Sequence, residues 1–157
     1  MKSITTPIVA TVPALTLAAA LAIAQSATAV PASCPFIGTW EGQLNDLPGV
    51  TLTVEEAGGT LRGTMVFYFQ KRADANSRWH VTGESRVPLL APRMEGNTLT
   101  FEVQHHKCDT CAELGPNVKF RVDLNGPDEL RLWKLDDRET NPDPSAGQKL
   151  IRQTAKH

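Results

Sequence analysis

The chain has 157 residues, with 16 Lys and Arg against 17 Asp and Glu and a formal charge of −1. That balance holds no basic surplus, which argues against nucleic acid or an anionic membrane surface as a partner. The length is one domain's worth, enough for a single continuous core.

The first stretch reads as a targeting signal. Lys2 supplies one positive charge, and an apolar run from Ile8 to Ala24 is broken only by Thr11, Pro13 and Thr16. Ala27-Thr28-Ala29 then gives a small-x-small cleavage pattern. This predicts a secretory signal peptide over residues 1–29, cut after Ala29, and export to the periplasm or the extracellular space. Two alternatives weigh less. An uncleaved anchor needs a longer run without Pro13. A lipoprotein anchored through Cys34 needs a Leu in the lipobox, where Pro31-Ala32-Ser33 stand instead. Cleavage leaves about 128 residues with no second long apolar run, so no membrane association is expected afterwards. Residues 30–36 form an N-terminal arm, 37–153 the folded domain and 154–157 a frayed tail.

From Ile37 onward the pattern is strand, turn, strand, and no amphipathic helix of any length is visible. In Phe36-Ile37-Gly38-Thr39-Trp40-Glu41-Gly42-Gln43-Leu44 the residues Phe36, Trp40 and Leu44 share one face with the two glycines. That period of two marks a strand with one face against a core. Gly38 and Gly42 clear space beside Trp40 for another backbone or a large ring. Asn45 to Gly49 is a turn. Val50 to Glu55 alternates, and Gly58-Gly59 completes a hairpin connection. Thr60 to Lys71 puts Leu61, Met65, Phe67 and Phe69 on one face. Arg78 to Glu84 follows, with Trp79, Val81 and Gly83 inward. Pro88 and Pro92 make Arg86 to Met94 an edge, bulge or bent segment. Thr98 to His106 carries Leu99, Phe101, Val103 and His105 on its apolar face. A loop with Cys108 and Cys111 leads to Val118, Phe120, Val122 and Leu124. Asn125 to Asp128 is a hairpin signal, Leu130 to Leu135 a strand, Asp136 to Gly147 a charged loop, and Lys149 to Gln153 a short closing strand. Short strands at regular spacing predict an all-β, single antiparallel up-and-down meander of about 8–10 strands closed into a barrel.

Gly38-Thr39-Trp40 on the opening strand, followed by a meander of hairpins, resembles the lipocalin-like, or calycin, barrels, and among them the small exported lipocalin-like proteins of bacteria. The resemblance implies that Trp40 plugs the closed end and that a cation near the last strand stacks over it. Arg152 is the residue that matches. Such a pair would tie the last strand to the first.

Several readings of function follow. The inward face is apolar and aromatic, and a barrel of this size either packs solid or holds one small ligand. The reading adopted is reversible binding of a small hydrophobic molecule, without cofactor, in a cavity lined by Met65, Phe67, Phe69, Trp79, Phe101, Val103 and His105. A second is a protein-interaction module such as a small-barrel protease inhibitor, with Val30 to Pro35 and the Cys108 loop as contacting parts. A third uses His105, Cys108 and Cys111 as a metal or thiol-redox site. Adjacent histidines on a strand face opposite ways, so His105 and His106 cannot readily both join one metal. In an exported chain, Cys108, Cys111 and Cys34 are foremost disulfide candidates, with one thiol left over. No nucleophile constellation and no phosphate-cradling loop is present, so no catalytic residue is assigned and no enzyme is expected.

Overall fold

A computed structural model describes residues 34–107, 112–135 and 143–154. Within them the period-two stretches fold as nine strands: β1 (Gly38–Leu44), β2 (Leu47–Ala57), β3 (Thr60–Lys71), β4 (His80–Pro88), β5 (Leu90–Glu95), β6 (Thr98–His106), β7 (Leu114–Leu124), β8 (Glu129–Leu135) and β9 (Gln148–Gln153). One 3-10 turn, Pro144–Ala146, precedes β9. The strands make a single sheet in the order β4-β3-β2-β1-β9-β8-β7-β6-β5. Every neighbouring pair is antiparallel, so the chain runs up and down.

The ladder does not close on itself; β4 and β5 are its two edges. Only Leu89 separates them in the chain. Directions alternate across the sheet, so β4 and β5 run the same way, as two halves of one extended segment. The first half pairs with β3 and the second with β6. Leu89 at the junction is buried, and its N–H donates to the Gly63 carbonyl of β3 at 3.0 Å. Pro88 ends β4, and Pro92 falls in the irregular step between Leu90 and Arg93. Both prolines thus sit where a missing N–H breaks no central ladder.

The β1–β2 connection is tighter than the five-residue turn expected. Asn45 (φ 52°) and Asp46 (φ 60°) both take the left-handed region, and Leu44 pairs directly with Leu47. Asn and Asp tolerate that conformation, which gives a two-residue hairpin. Pro48 and Gly49 therefore join β2, and a bulge between Gly42 and Gln43 absorbs the irregularity. Gln70 of β3 fastens the turn, donating 2.9 Å bonds to the carbonyls of Leu44 and Pro48.

One face of the sheet carries the core. Trp40, Leu52, Met65, Leu99, Val103 and Val122 have no accessible surface. All belong to a single cluster with Phe101, Phe120, Leu130, Leu132 and Leu150. Rings from distant strands meet across it: Phe67 of β3 lies 4.8 Å from His105 of β6 and 6.0 Å from Phe120 of β7. The sheet therefore bends far enough to bring strands near its two edges face to face.

The inward placement of Trp79 and Val81 is corrected by the register. Phe69 pairs with Gly83, yet Gln70 pairs with Val81, which leaves Thr82 as an extra residue. A bulge of one residue reverses the side-chain phase. Val81 consequently shares the outer face with Gln70 and is 41% exposed. Trp79 lies before β4, half-buried, with the Arg72 guanidinium 4.8 Å from its ring centroid.

At one end of the sheet the chain is tied by Arg152. Its guanidinium carbon stands 4.0 Å from the Trp40 ring centroid. Nη1 donates to the Ile37 carbonyl at 2.7 Å, and Nη2 donates to the Pro35 carbonyl at 2.8 Å. Nε lies 3.2 Å from Asp128 Oδ1. Trp40 Nε1 in turn donates to the Phe36 carbonyl at 2.8 Å, and Phe36 is fully buried. Gly38, at φ +130°, passes so close that a Cβ would lie 2.9 Å from Arg152 Nη1; at Gly42 it would lie 2.5 Å from Leu150 Cδ2. The space the two glycines clear is taken by β9 side chains. We expect Arg152→Met to lower stability by about 2–4 kcal/mol, because it removes the cation over the ring and leaves carbonyls at Pro35 and Ile37 without a donor. Urea unfolding measures this. A loss below about 0.5 kcal/mol, the scale of a neutral surface change, would show that Arg152 is not a structural tie.

Candidate ligand pocket at the far end of the sheet

Away from Arg152, the sheet ends in the connections β1–β2, β3–β4, β6–β7 and β8–β9. Here the core gives way to an aromatic layer and then to an open hollow. Phe101 and Phe120 stack at 5.7 Å with an interplanar angle of 19°, and Phe67 and His105 close the layer from the side. Above Phe120 lies a cavity of about 350 Å³ lined by Phe120, Leu132, Trp133, Lys134, Asp143, Ala146 and Gln148.

Alternation on three strands positions the lining. Leu130, Leu132 and Lys134 share the inner face of β8, and the apolar run ends in a cation. Phe120 pairs with Lys134 and Leu132 pairs with Gln148, so all four side chains converge on one spot. Phe120 and Leu132 are nearly covered and make the floor. Gln148 is half-buried, and Lys134 is exposed at the rim. The turn before β9 supplies the remaining wall. Asp143 caps it, its Oδ1 accepting from the Ser145 N–H and O–H, both at 2.8 Å. The N–H and O–H of Ser145 hold the Asp143 carboxyl below the usual carboxylate range. Trp133 anchors this turn, its Nε1 donating to the Asp143 carbonyl at 3.0 Å.

The seven residues singled out from sequence are divided by the structure. Met65 and Val103 have no accessible surface and lie within the packed core. Phe67, Phe101 and His105 meet in the aromatic layer beneath the pocket. Phe69 is 47% exposed at the end of β3, and Trp79 stacks on Arg72 outside the core. None of the seven lines the hollow. Lys134 and Gln148 were missed. Their signal was a polar residue continuing an apolar strand face, which reads as a rim where the core runs out. A larger hollow of about 510 Å³, formed by Glu41, Gln43, Lys149, Ile151 and Gln153, lies on the outer face of β1 and β9. Its lining is polar or charged except for Ile151, so it lacks an apolar floor.

Among the described residues no three His, Cys, Asp or Glu side chains come together to hold a metal. Cys108 and Cys111 lie outside the described residues. Cys34 is buried with a free thiol, its Sγ 3.5 Å from Met94 Sδ.

Desolvation holds His105 below its ordinary imidazole value of about 6.5. The folded chain keeps this ring neutral while the unfolded chain takes up a proton. The contribution to stability is thus complete above about pH 6.5 and is lost as pH falls toward the folded value. We expect the urea midpoint of the wild type to drop between pH 7 and 5, and the slope to flatten in His105→Asn. Asp74, Glu129 and Asp143, held low chiefly by bonds from Ser77, Lys149 and Ser145, add their losses only below about pH 4.5. Equal slopes in both proteins above pH 5 would remove His105 as the cause.

No family model, no curated protein and no solved structure matches the chain.

Proposed function

We propose that the protein is an exported, lipocalin-like β-barrel that reversibly binds a small hydrophobic molecule, without cofactor or covalent chemistry. The barrel reading draws support from the β4–Leu89–β5 segment, which carries both sheet edges in one continuous run. The binding reading draws support from one observation above all. A hollow of about 350 Å³ with a floor of Phe120 and Leu132 opens at the end opposite the Trp40–Arg152 tie. This is the small end of the range of about 300–1,000 Å³ usual for ligand pockets. The site of binding is the mouth, because the deeper interior is filled by Met65, Leu99 and Val103.

The test is titration with N-phenyl-1-naphthylamine, a neutral fluorescent apolar probe, into the wild type and Ala146→Trp. Ala146 lies exposed on the pocket wall, so the indole fills the hollow without disturbing the core. Saturable enhancement in the wild type, weakened at least about tenfold in the variant, is the expected result. A wild type with no saturable signal overturns the binding reading.

A second reading, a protein-interaction module, has its own observation. Leu44, Phe69, Val81 and Leu114 are each more than 40% exposed, and all stand at strand ends around the same mouth. Apolar side chains grouped this way mark contact surfaces. If a small-barrel inhibitor is the right description, the protein slows an exported protease, and Leu114→Asp with Phe69→Asp raises the inhibition constant about tenfold or more. A panel of secreted proteases without inhibition rejects that description.

A further inference from the structure

The mouth pocket carries one feature that simple apolar binding leaves unused: opposite charges on its rim. Lys134 faces inward from β8 and makes no ion pair among the described residues. Asp143, across the hollow on the turn before β9, offers Oδ2, which takes no bond from a described residue. The two charges line one cavity yet do not pair with each other. Gln148 also lines the hollow, its Nε2 turned toward the Gln43 carbonyl of β1, and Phe120 and Leu132 form the floor.

We propose that the pocket selects a free α-amino acid with an apolar side chain: its carboxylate meets Lys134, its ammonium meets Asp143, and its side chain rests on Phe120 and Leu132. This inference rests on the mouth-pocket reading above and narrows it to one ligand class. A purely anionic ligand would sit beside the Asp143 carboxylate, and a purely cationic one beside the Lys134 ammonium. Each would gain one attraction and suffer one repulsion. A zwitterion satisfies both groups, and its opposite charges are spaced by a single carbon. Burying the apolar floor against the ligand side chain then excludes water from around the charged contacts, which strengthens them. A hollow of about 350 Å³ suits a molecule of this size.

Calorimetry with three matched ligands tests the assignment. L-phenylalanine carries both charges, 3-phenylpropionate only the carboxylate and 2-phenylethylamine only the ammonium. The expected result is that L-phenylalanine binds at least about tenfold tighter than either analogue, the factor that one charge-assisted hydrogen bond supplies. Lys134→Met should bring L-phenylalanine down to the level of 2-phenylethylamine, and Asp143→Asn down to that of 3-phenylpropionate. Asn at 143 retains an oxygen for the Ser145 bonds, and circular dichroism establishes that both variants are folded. The assignment is overturned if either analogue binds as tightly as L-phenylalanine, or if both folded variants bind it like the wild type. If N-phenyl-1-naphthylamine binds saturably while all three phenyl ligands fail, the zwitterion assignment falls and the pocket stands. If that probe fails as well, both fall.

Discussion

The Arg152 guanidinium is the point at which the two ends of the domain become one structure. It belongs to the last strand, lies over the tryptophan of the first, and takes up backbone carbonyls from the arm before β1. The register explains why one residue reaches all of these. Trp40 and Arg152 are directly opposed in the β1–β9 ladder, so the stacking is a cross-strand contact and needs no special loop. The ladder between these strands covers only Thr39 to Glu41 against Ile151 to Gln153. So few pairs would hold β9 weakly on their own. The arginine adds hydrogen bonds and a ring contact where the ladder is short, and it fastens the Pro127–Asp128 turn through Asp128.

At the opposite seam, a different device does the corresponding work. β4 and β5 hold the sheet edges, and an open edge of unpaired N–H and C=O groups invites pairing with another chain. Here the edges are consecutive parts of the same segment. Its first half spends its hydrogen bonds on β3 and its second half on β6, with Leu89 driven into the core at the exchange point. Pro88 and Pro92, the Thr82 bulge and the charged Glu84 and Arg86 blunt what edge remains.

Period two made the strands legible: β3 and β6 have the bounds that alternation alone assigned, Thr60 to Lys71 and Thr98 to His106. The glycines beside Trp40 also announced a close neighbour. What alternation could not carry was phase across a bulge. Unbroken alternation over Arg78 to Glu84 puts Trp79, Val81 and Gly83 on one face, and one extra residue at Thr82 reverses the phase before Gly83. No local signal marks that bulge, since it is set by pairing with β3. The site was harder still. Phe120 and Leu132 looked like any other core residues, and the hollow above them exists because of where a turn near Asp143 folds back. That depends on Trp133 reaching the Asp143 carbonyl, a contact between residues ten apart in the chain.

The two ends of the domain differ for a reason rooted in the strands. At the Trp40 end, Trp40, Leu99, Leu130 and Leu150 are fully buried, the Arg152 guanidinium covers the indole, and Phe36 from the arm joins the same cluster. At the other end, β8 finishes its inner face on Lys134 and β9 begins its own on Gln148. Neither can be buried without a partner, so the core stops one layer short, at Phe120 and Leu132. Larger apolar residues at both positions would have extended the core and filled the hollow. The polar pair thus costs the fold some burial and leaves a floor that is apolar beneath a rim that is not. That combination is unfavourable for a chain selected on stability alone. It fits the proposed pocket, in which the ligand would cover the apolar floor with one part and meet the charged rim with another.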